Sequence, residues 1–265
     1  MCRMCATSES PLLPVNAANR LDGPPVIAVL AQGAPRDTAM HRHARGQVLA
    51  SMNGLLVVET EAGRLSVPPG CAAWLPPKCR HGMRAHGPFH GWSAYIVPGA
   101  GLPGEACVMQ VPELLRAAAL RAASWQLDGA WTAAQQHIAA VIIDELSNAP
   151  SQAWTLPLPH ERRMLKLARH VADHPGDVRR MPELAAWAGI APRTLTRRFA
   201  AETGMAFAAW RRRACVLRAM ALLAEELPVT AIALELGYDS LSAFIAMFRR
   251  ETGVTPSQYA MARQR

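Results

Sequence analysis

The sequence predicts an α+β, multidomain chain: a small antiparallel β-barrel with helices after it, then an all-α half built from two helix-turn-helix units. Three observations lead there. Between Val26 and Val97, short apolar runs (Leu55-Leu56-Val57-Val58, Ala72-Ala73-Trp74-Leu75) are separated by turn residues at Gly63, Pro68-Pro69-Gly70 and Pro76-Pro77. That is the texture of many short strands closing on one another. From Leu114 onward the apolar spacing turns helical, and after His160 the chain repeats itself.

Taken in order, residues 1–25 carry five prolines or glycines and little periodicity, and are expected to be a flexible tail. Residues 26–98 form the barrel. Residues 99–150 are expected to be a helical dimerisation segment, with Trp131, Ile138, Ile142 and Leu146 at helical spacing. Three prolines make 151–159 and its flank a linker, and 160–265 form the helical domain, with units at 181–202 and 229–250.

Charge divides the chain in the same way. Residues 160–265 hold 17 Lys/Arg against 10 Asp/Glu, a net of +7 out of the chain's +8. A basic half joined to a neutral half fits a polyanion partner, and equally a solvated basic face. Cys2 and Cys5 make a lone C-x-x-C without a second pair, so reduced thiols are expected. The start lacks the charged and apolar regions of a signal peptide, and no apolar run spans a membrane, so a cytoplasmic protein without membrane contact is expected.

The repeat is specific. Leu184-Ala-Ala-Trp-Ala-Gly-Ile190 is echoed by Ile232-Ala-Leu-Glu-Leu-Gly-Tyr238, and Phe199-Ala-Ala-Glu-Thr-Gly204 by Phe248-Arg-Arg-Glu-Thr-Gly253. Each unit reads as helix, glycine turn, helix. In the first, Leu195 and Phe199 pack inward, leaving Arg193, Thr196, Arg197 and Ala200 on the outer face. In the second, Phe244 and Phe248 pack inward, leaving Ser242, Ile245, Ala246, Arg249 and, next to it, Arg250 outward. Arginine reads a guanine edge with two hydrogen bonds and threonine reads a base or a thymine methyl. Between the units, Trp210, Ala214, Leu217, Ala221 and Ala224 mark one face of a long helix whose start is crowded by Arg211, Arg212, Arg213 and Arg218. Such a helix spaces two reading heads, which must lie about 34 Å apart to enter successive major grooves.

Ala185-x3-Gly189, Arg193-x-Leu195-x3-Phe199-x3-Thr203-Gly204, Ile232-Ala233-x3-Gly237-Tyr238, Phe244-x3-Phe248 and Thr255-Pro256-x2-Tyr259 resemble the AraC/XylS family signature over residues 160–262. The resemblance implies transcriptional control, usually activation, by a homodimer that binds promoter DNA, answers a small-molecule effector and contacts RNA polymerase. Two departures stand out: Ala191 lies where a Ser or Thr cap is usual, and Ala246 where many relatives are polar.

In the barrel, His41-Arg-His43 points two imidazoles to one side of a strand. With Gln47, Gly54, Gly70, Pro76 and His81, the spacings resemble the two cupin motifs. That resemblance places His41, His43, Gln47 and His81 together as an effector site or around a metal. Gln47 replaces the usual acid and Lys78 a usual glycine. No cofactor is required on this reading, yet three histidines alone hold zinc or iron with positions to spare. A metal site, a metal-free effector pocket and a structural cluster of core histidines all remain open; His86 and His90 read as surface residues. The rival functions are a metal-dependent cupin enzyme with a helical appendix, disfavoured by the missing acid, and an architectural DNA-binding protein. A regulator, not an enzyme, is the expectation.

Overall fold

The structure is a computed structural model that describes residues 12–33, 37–126, 131–152 and 154–262. The Cys2/Cys5 pair and the side chain of His86 lie outside the described residues. The chain divides into two compact units, residues 1–61 with 65–155, and residues 62–64 with 156–265.

The first unit is organised by two long strands, β3 (Gly46–Thr60) and β6 (His81–Ile96), after β1 (Val26–Gly33) and β2 (Asp37–His41) and with β4 (Gly63–Val67) and β5 (Cys71–Leu75) between them. They pair antiparallel along almost their whole length, from Gly46 opposite Ile96 to Thr60 opposite His81. Register shifts on either side of Asn53 bend this ribbon, the usual effect of a bulge. Gly91 is required there: a Cβ on it would lie 2.1 Å from the Ala50 carbonyl oxygen.

The bend gives two layers. One half of the ribbon continues through β1, β5, β7 (Cys107–Gln110) and β8 (Ser151–Gln152), in the order β1-β6-β3-β5-β7-β8; the other half pairs with β2 and β4. Among the described residues no pairing joins β1 to β8, so the sheet curls without closing into a ring. Period-two alternation then sorts the side chains. Val48, Ala50, Trp74, Trp92, Ala94 and Ile96 face α2 (Glu113–Ala122) and α3 (Ala133–Asn148). Leu49, Leu56, Val58, Leu75, Met83 and Ala85 face the interior. The helix α3 starts at a capping box in which Thr132 and Gln135 exchange hydrogen bonds, and it packs on α2, burying Ala139, Ile142 and Leu146 in the core that both helices share with the sheet.

Three sequence expectations need correction. Residues 15–19 of the expected tail form α1 (Val15–Asn19), and Leu13 and Ala18 are buried with Ile27 and Tyr95. The segment 99–150 is not wholly helical, because β7 lies in it; short strands β8 and β9 (Thr155–Pro157) fall within 151–159.

In the second unit, α4 (Arg162–Asp173) precedes the first helix pair, α5 (Met181–Trp187) and α6 (Pro192–Thr203). Then come α7 (Phe207–Ala224), the second pair α8 (Val229–Glu235) and α9 (Leu241–Thr252), and α10 (Pro256–Ala262). The repeat extends to individual bonds. Ile190 N–H donates to the Ala185 carbonyl and Tyr238 N–H to that of Ala233, at 2.9 and 3.0 Å. Gly189 and Gly237 take φ of +68° and +72° in those turns, a region open to glycine without cost.

The helix α7 departs from the expected single apolar face. It is buried nearly all round and packs on α4, α6, α8, α9 and α10, as an interior helix must. Its arginines tie these elements together. Arg211 donates to the Asp177 and Arg179 carbonyls, Arg212 pairs with Glu251 of α9, and Arg218 with Glu235 of α8.

Candidate effector pocket and nucleic-acid interface

Three of the four residues expected on the outer face of α6 lie in the open, and the fourth, Ala200, is half-buried. Leu195 and Phe199 are fully buried, while Arg193, Thr196 and Arg197 are exposed. On α9, Phe244 and Phe248 are fully buried, and Ser242, Ala246, Arg249 and Arg250 are exposed. Thr196 also bonds back to the Pro192 carbonyl at 3.0 Å, and Arg250 lies 3.6 Å from Glu251. The two helices begin differently. Ser240 caps α9 by accepting from the Ala243 N–H, whereas Ala191 offers α6 no side-chain cap. Replacing Ala191 with serine should therefore raise stability by about 1 kcal/mol, read as a higher denaturation midpoint at unchanged slope. An unchanged midpoint would mean that Pro192 at the first helical position already suffices.

The barrel residues also converge. His41 ends β2, His43 follows it, Gln47 starts β3 and His81 starts β6. The three histidines offer ligand atoms all within 4.8 Å of one another. Each ring is pinned through Nδ1 to a backbone carbonyl: His41 to Ala39 at 2.9 Å, His43 to Arg45 at 2.7 Å, and His81 to Cys79 at 2.9 Å. A carbonyl only accepts, so in this arrangement each Nδ1 donates to it. Gln47 bridges the cluster: its Oε1 lies 3.0 Å from His43 Nε2 and 2.9 Å from His81 Nε2. Its Nε2 donates to Ser93 Oγ at 3.0 Å and to Tyr95 Oη at 2.9 Å.

His41, Gln47 and His81, with Leu12, Thr38, Leu49, Met83 and Tyr95, line a pocket of about 230 Å³. Thr38 Oγ1 is buried there without a hydrogen-bond partner. Sequence reasoning missed Ser93, Tyr95 and Thr38. A signal for the first two was present: they alternate as the polar positions in the otherwise apolar run Trp92–Ile96.

Burial pushes the His81 imidazole down to about 4 and lowers that of His43. Between about pH 6.5 and 4 the unfolded chain thus binds more protons than the folded one, so stability rises with pH across that window. Metal-free protein should lose at most about 3 kcal/mol on His81's account as pH falls through it. His81→Phe, which has nothing to protonate, should flatten the profile in denaturant titrations; an unaltered slope would refute the assignment.

Comparison with known proteins covers both units. Residues 24–106 match the AraC-like ligand binding domain, and residues 184–262 match a helix-turn-helix domain. The chain is 27% identical over 221 residues to the HTH-type transcriptional regulator NimR of Escherichia coli K12, covering 83% of this chain and 81% of NimR. It is 35% identical over 105 residues to RipA of Corynebacterium glutamicum, 40% of this chain and 32% of that protein. Among solved structures, the DNA-binding domain of AdpA in complex with a target DNA is 32% identical, covering 37% of this chain and 88% of that one, with a TM-score of 0.35. ToxT from Vibrio cholerae covers 89% of this chain and 97% of its own, at 10% identity and a TM-score of 0.39.

A ligand-binding domain ahead of paired helix-turn-helix units defines a DNA-binding transcription regulator, not an enzyme. The chain belongs to the AraC-type regulators. Among the described residues no helix is long and apolar enough to cross a membrane.

Proposed function

We propose that this chain is an effector-responsive transcription activator, acting as a homodimer with RNA polymerase at promoters upstream of genes it controls. The reading rests on one observation: a solvent-facing arginine pair, Arg193 and Arg197, on the helix whose partner in its unit is α5, in a chain whose other unit encloses a polar histidine pocket. Base-edge readout needs side chains on an exposed face of such a helix. Effector sensing needs a concave site with a few convergent polar groups. Since α3 buries its inner stripe in the core it shares with α2 and the sheet, a dimer surface on α2 and α3 would use their outward faces, where Leu114 is exposed.

The test combines footprinting on the DNA upstream of the chain's own gene with transcription by purified RNA polymerase. A protected site and a raised transcript are expected; a lowered transcript overturns activation. His43→Ala should abolish regulation in a reporter strain and leave operator affinity intact. Equal loss of DNA binding in that variant, with folding preserved, would refute a separable sensing domain.

A further inference from the structure

We propose that Glu202 is a positioning residue: it ties the first reading helix, α6, to the end of the linker, so that regulation is delivered to α6 and not to α9. The source of the signal rests on the effector-responsive reading above; the hold on α6 does not.

The linker end grips α6 from both sides. At the C-terminal end of α6, Glu202 Oε2 accepts from the backbone N–H groups of His160 and Glu161 at 2.8 and 3.0 Å. These donors lie just ahead of α4, whose first turn is capped by the Glu161 side chain accepting from the Met164 N–H at 2.9 Å. Bonds from N–H groups to a carboxylate are charge-assisted, roughly twice as strong as neutral ones, and only 18% of the Glu202 side chain is left to solvent. At the other end, Arg163 Nη1 donates at 2.9 Å to the carbonyl of Gly189, in the turn ahead of α6. Beneath the helix, Trp210 Nε1 donates to the Pro157 carbonyl at 2.7 Å, and the Trp210 ring meets the Phe199 ring edge-on at 5.5 Å. Residues 157–163 therefore reach the start of one reading helix, its end and, through Trp210, its buried face.

The second pair is held otherwise, although the sequence repeats. Glu251 matches Glu202 in the repeated Phe-x-x-Glu-Thr-Gly, yet it faces Arg212 of α7 at 3.3 Å. Ser240 caps α9 from within, while α6 has no side-chain cap of its own. A helix start without a cap depends on what lies outside it. The helix α9 is thus referred to the interior helix α7, and α6 to the linker end. The first compact unit ends at residue 155, so the chain passes from it straight into the residues that hold α6. A displacement of His160 and Glu161 carries Glu202 with it, and with Glu202 the helix that presents Arg193 and Arg197. A guanidinium discriminates only within hydrogen-bond reach of a base edge, so a small shift of α6 is felt as lost discrimination.

The experiment uses the full-length chain on duplexes that wild type selects from a random pool, each base pair then being substituted. Glu202→Ala should lose about fivefold of its discrimination under α6 and stay within about twofold of wild type under α9. Glu202→Gln keeps an acceptor for the two N–H groups and should recover most of the loss. Glu251→Ala, the matched change in the second pair, should leave discrimination under α6 within about twofold. Arg163→Ala loosens only the turn and should act in the same direction as Glu202→Ala, a second measure should the latter not fold. In the reporter strain, His43→Ala should change transcription in wild type and in Glu251→Ala, but by less than about twofold in Glu202→Ala. Equal weakening on all sequences with a lower denaturation midpoint, unrescued by glutamine, would mean that Glu202 only stabilises the domain, and overturns the proposal. Lost discrimination under α6 with regulation intact overturns the linker as the route of the signal. If His43→Ala leaves regulation untouched in wild type, the effector reading fails, and the discrimination measurements alone decide the hold on α6.

Discussion

Arg197→Ala is expected to flatten base preference in one half of the operator by about 1–3 kcal/mol, roughly a 5- to 150-fold loss of discrimination at one or two base pairs. The reason lies in the matched positions of the two units. Arg193 and Arg197 are exposed one turn apart on α6, and the equivalents on α9 are Ser242 and Ala246. A bidentate arginine distinguishes guanine from the other bases, whereas an alanine offers at most contact with a thymine methyl. The exposed basic residues of α9, Arg249 and Arg250, lie in its last turn. Bases are read from the N-terminal part of a recognition helix, so these two are expected to grip phosphate, which positions a protein without specifying sequence. Arg249→Ala should accordingly weaken binding equally on all sequences and lower the log–log salt slope by about 0.9. Both variants should be titrated against an operator substituted at each base pair, at two salt concentrations. Sharper preferences under α9, or uniform weakening by Arg197→Ala, would refute the division of labour.

The second large effect is expected at Arg45. Its side chain is wholly buried, and burial lowers its pKa from the ordinary arginine value. Nε donates to the Arg20 carbonyl at 2.7 Å and Nη1 to the Pro24 carbonyl at 2.8 Å, while its backbone N–H reaches Ala18 at 3.2 Å. Nη2 is buried without a partner. Arg45→Ala would strand two carbonyls and leave a cavity, a loss of about 3–5 kcal/mol by analogy with breaking other buried charged contacts. Lysine should not rescue it, because a single ammonium lacks the planar fork that spans both carbonyls. Denaturant titration reads the loss, and limited proteolysis should show cleavage within residues 12–25 in the variant first. A loss under 1 kcal/mol would mean that the α1 segment is held by its apolar contacts alone.

Arg45 also shows where the sequence stops being legible. The reading helices could be seen in advance because their signals are local. Leu195 with Phe199 and Phe244 with Phe248 are four residues apart, and the turn glycines recur at an offset of 48. The docking of α1 depends on a cation some 25 residues downstream, and a five-residue helix beside prolines has too few turns to show a period. The strand β7 was hidden for the same reason: four residues carry little alternation, and pairing with β5 decides them. The histidines and Gln47 were found by spacing, but the hydrogen bonds that hold the Gln47 amide come from Ser93 and Tyr95, across the β3–β6 ribbon.

The burial of α7 has a consequence for truncation. Each helix pair covers part of a helix that is buried nearly all round, so the two pairs are expected to share one cooperative core. A chain stopped after Glu226 would uncover Leu217, Met220, Ala221 and Ala224, all buried in the intact domain. The product would be a sticky, partly melted species and not a half-length reader of half an operator. The two helix pairs are therefore expected to fold, and melt, as one.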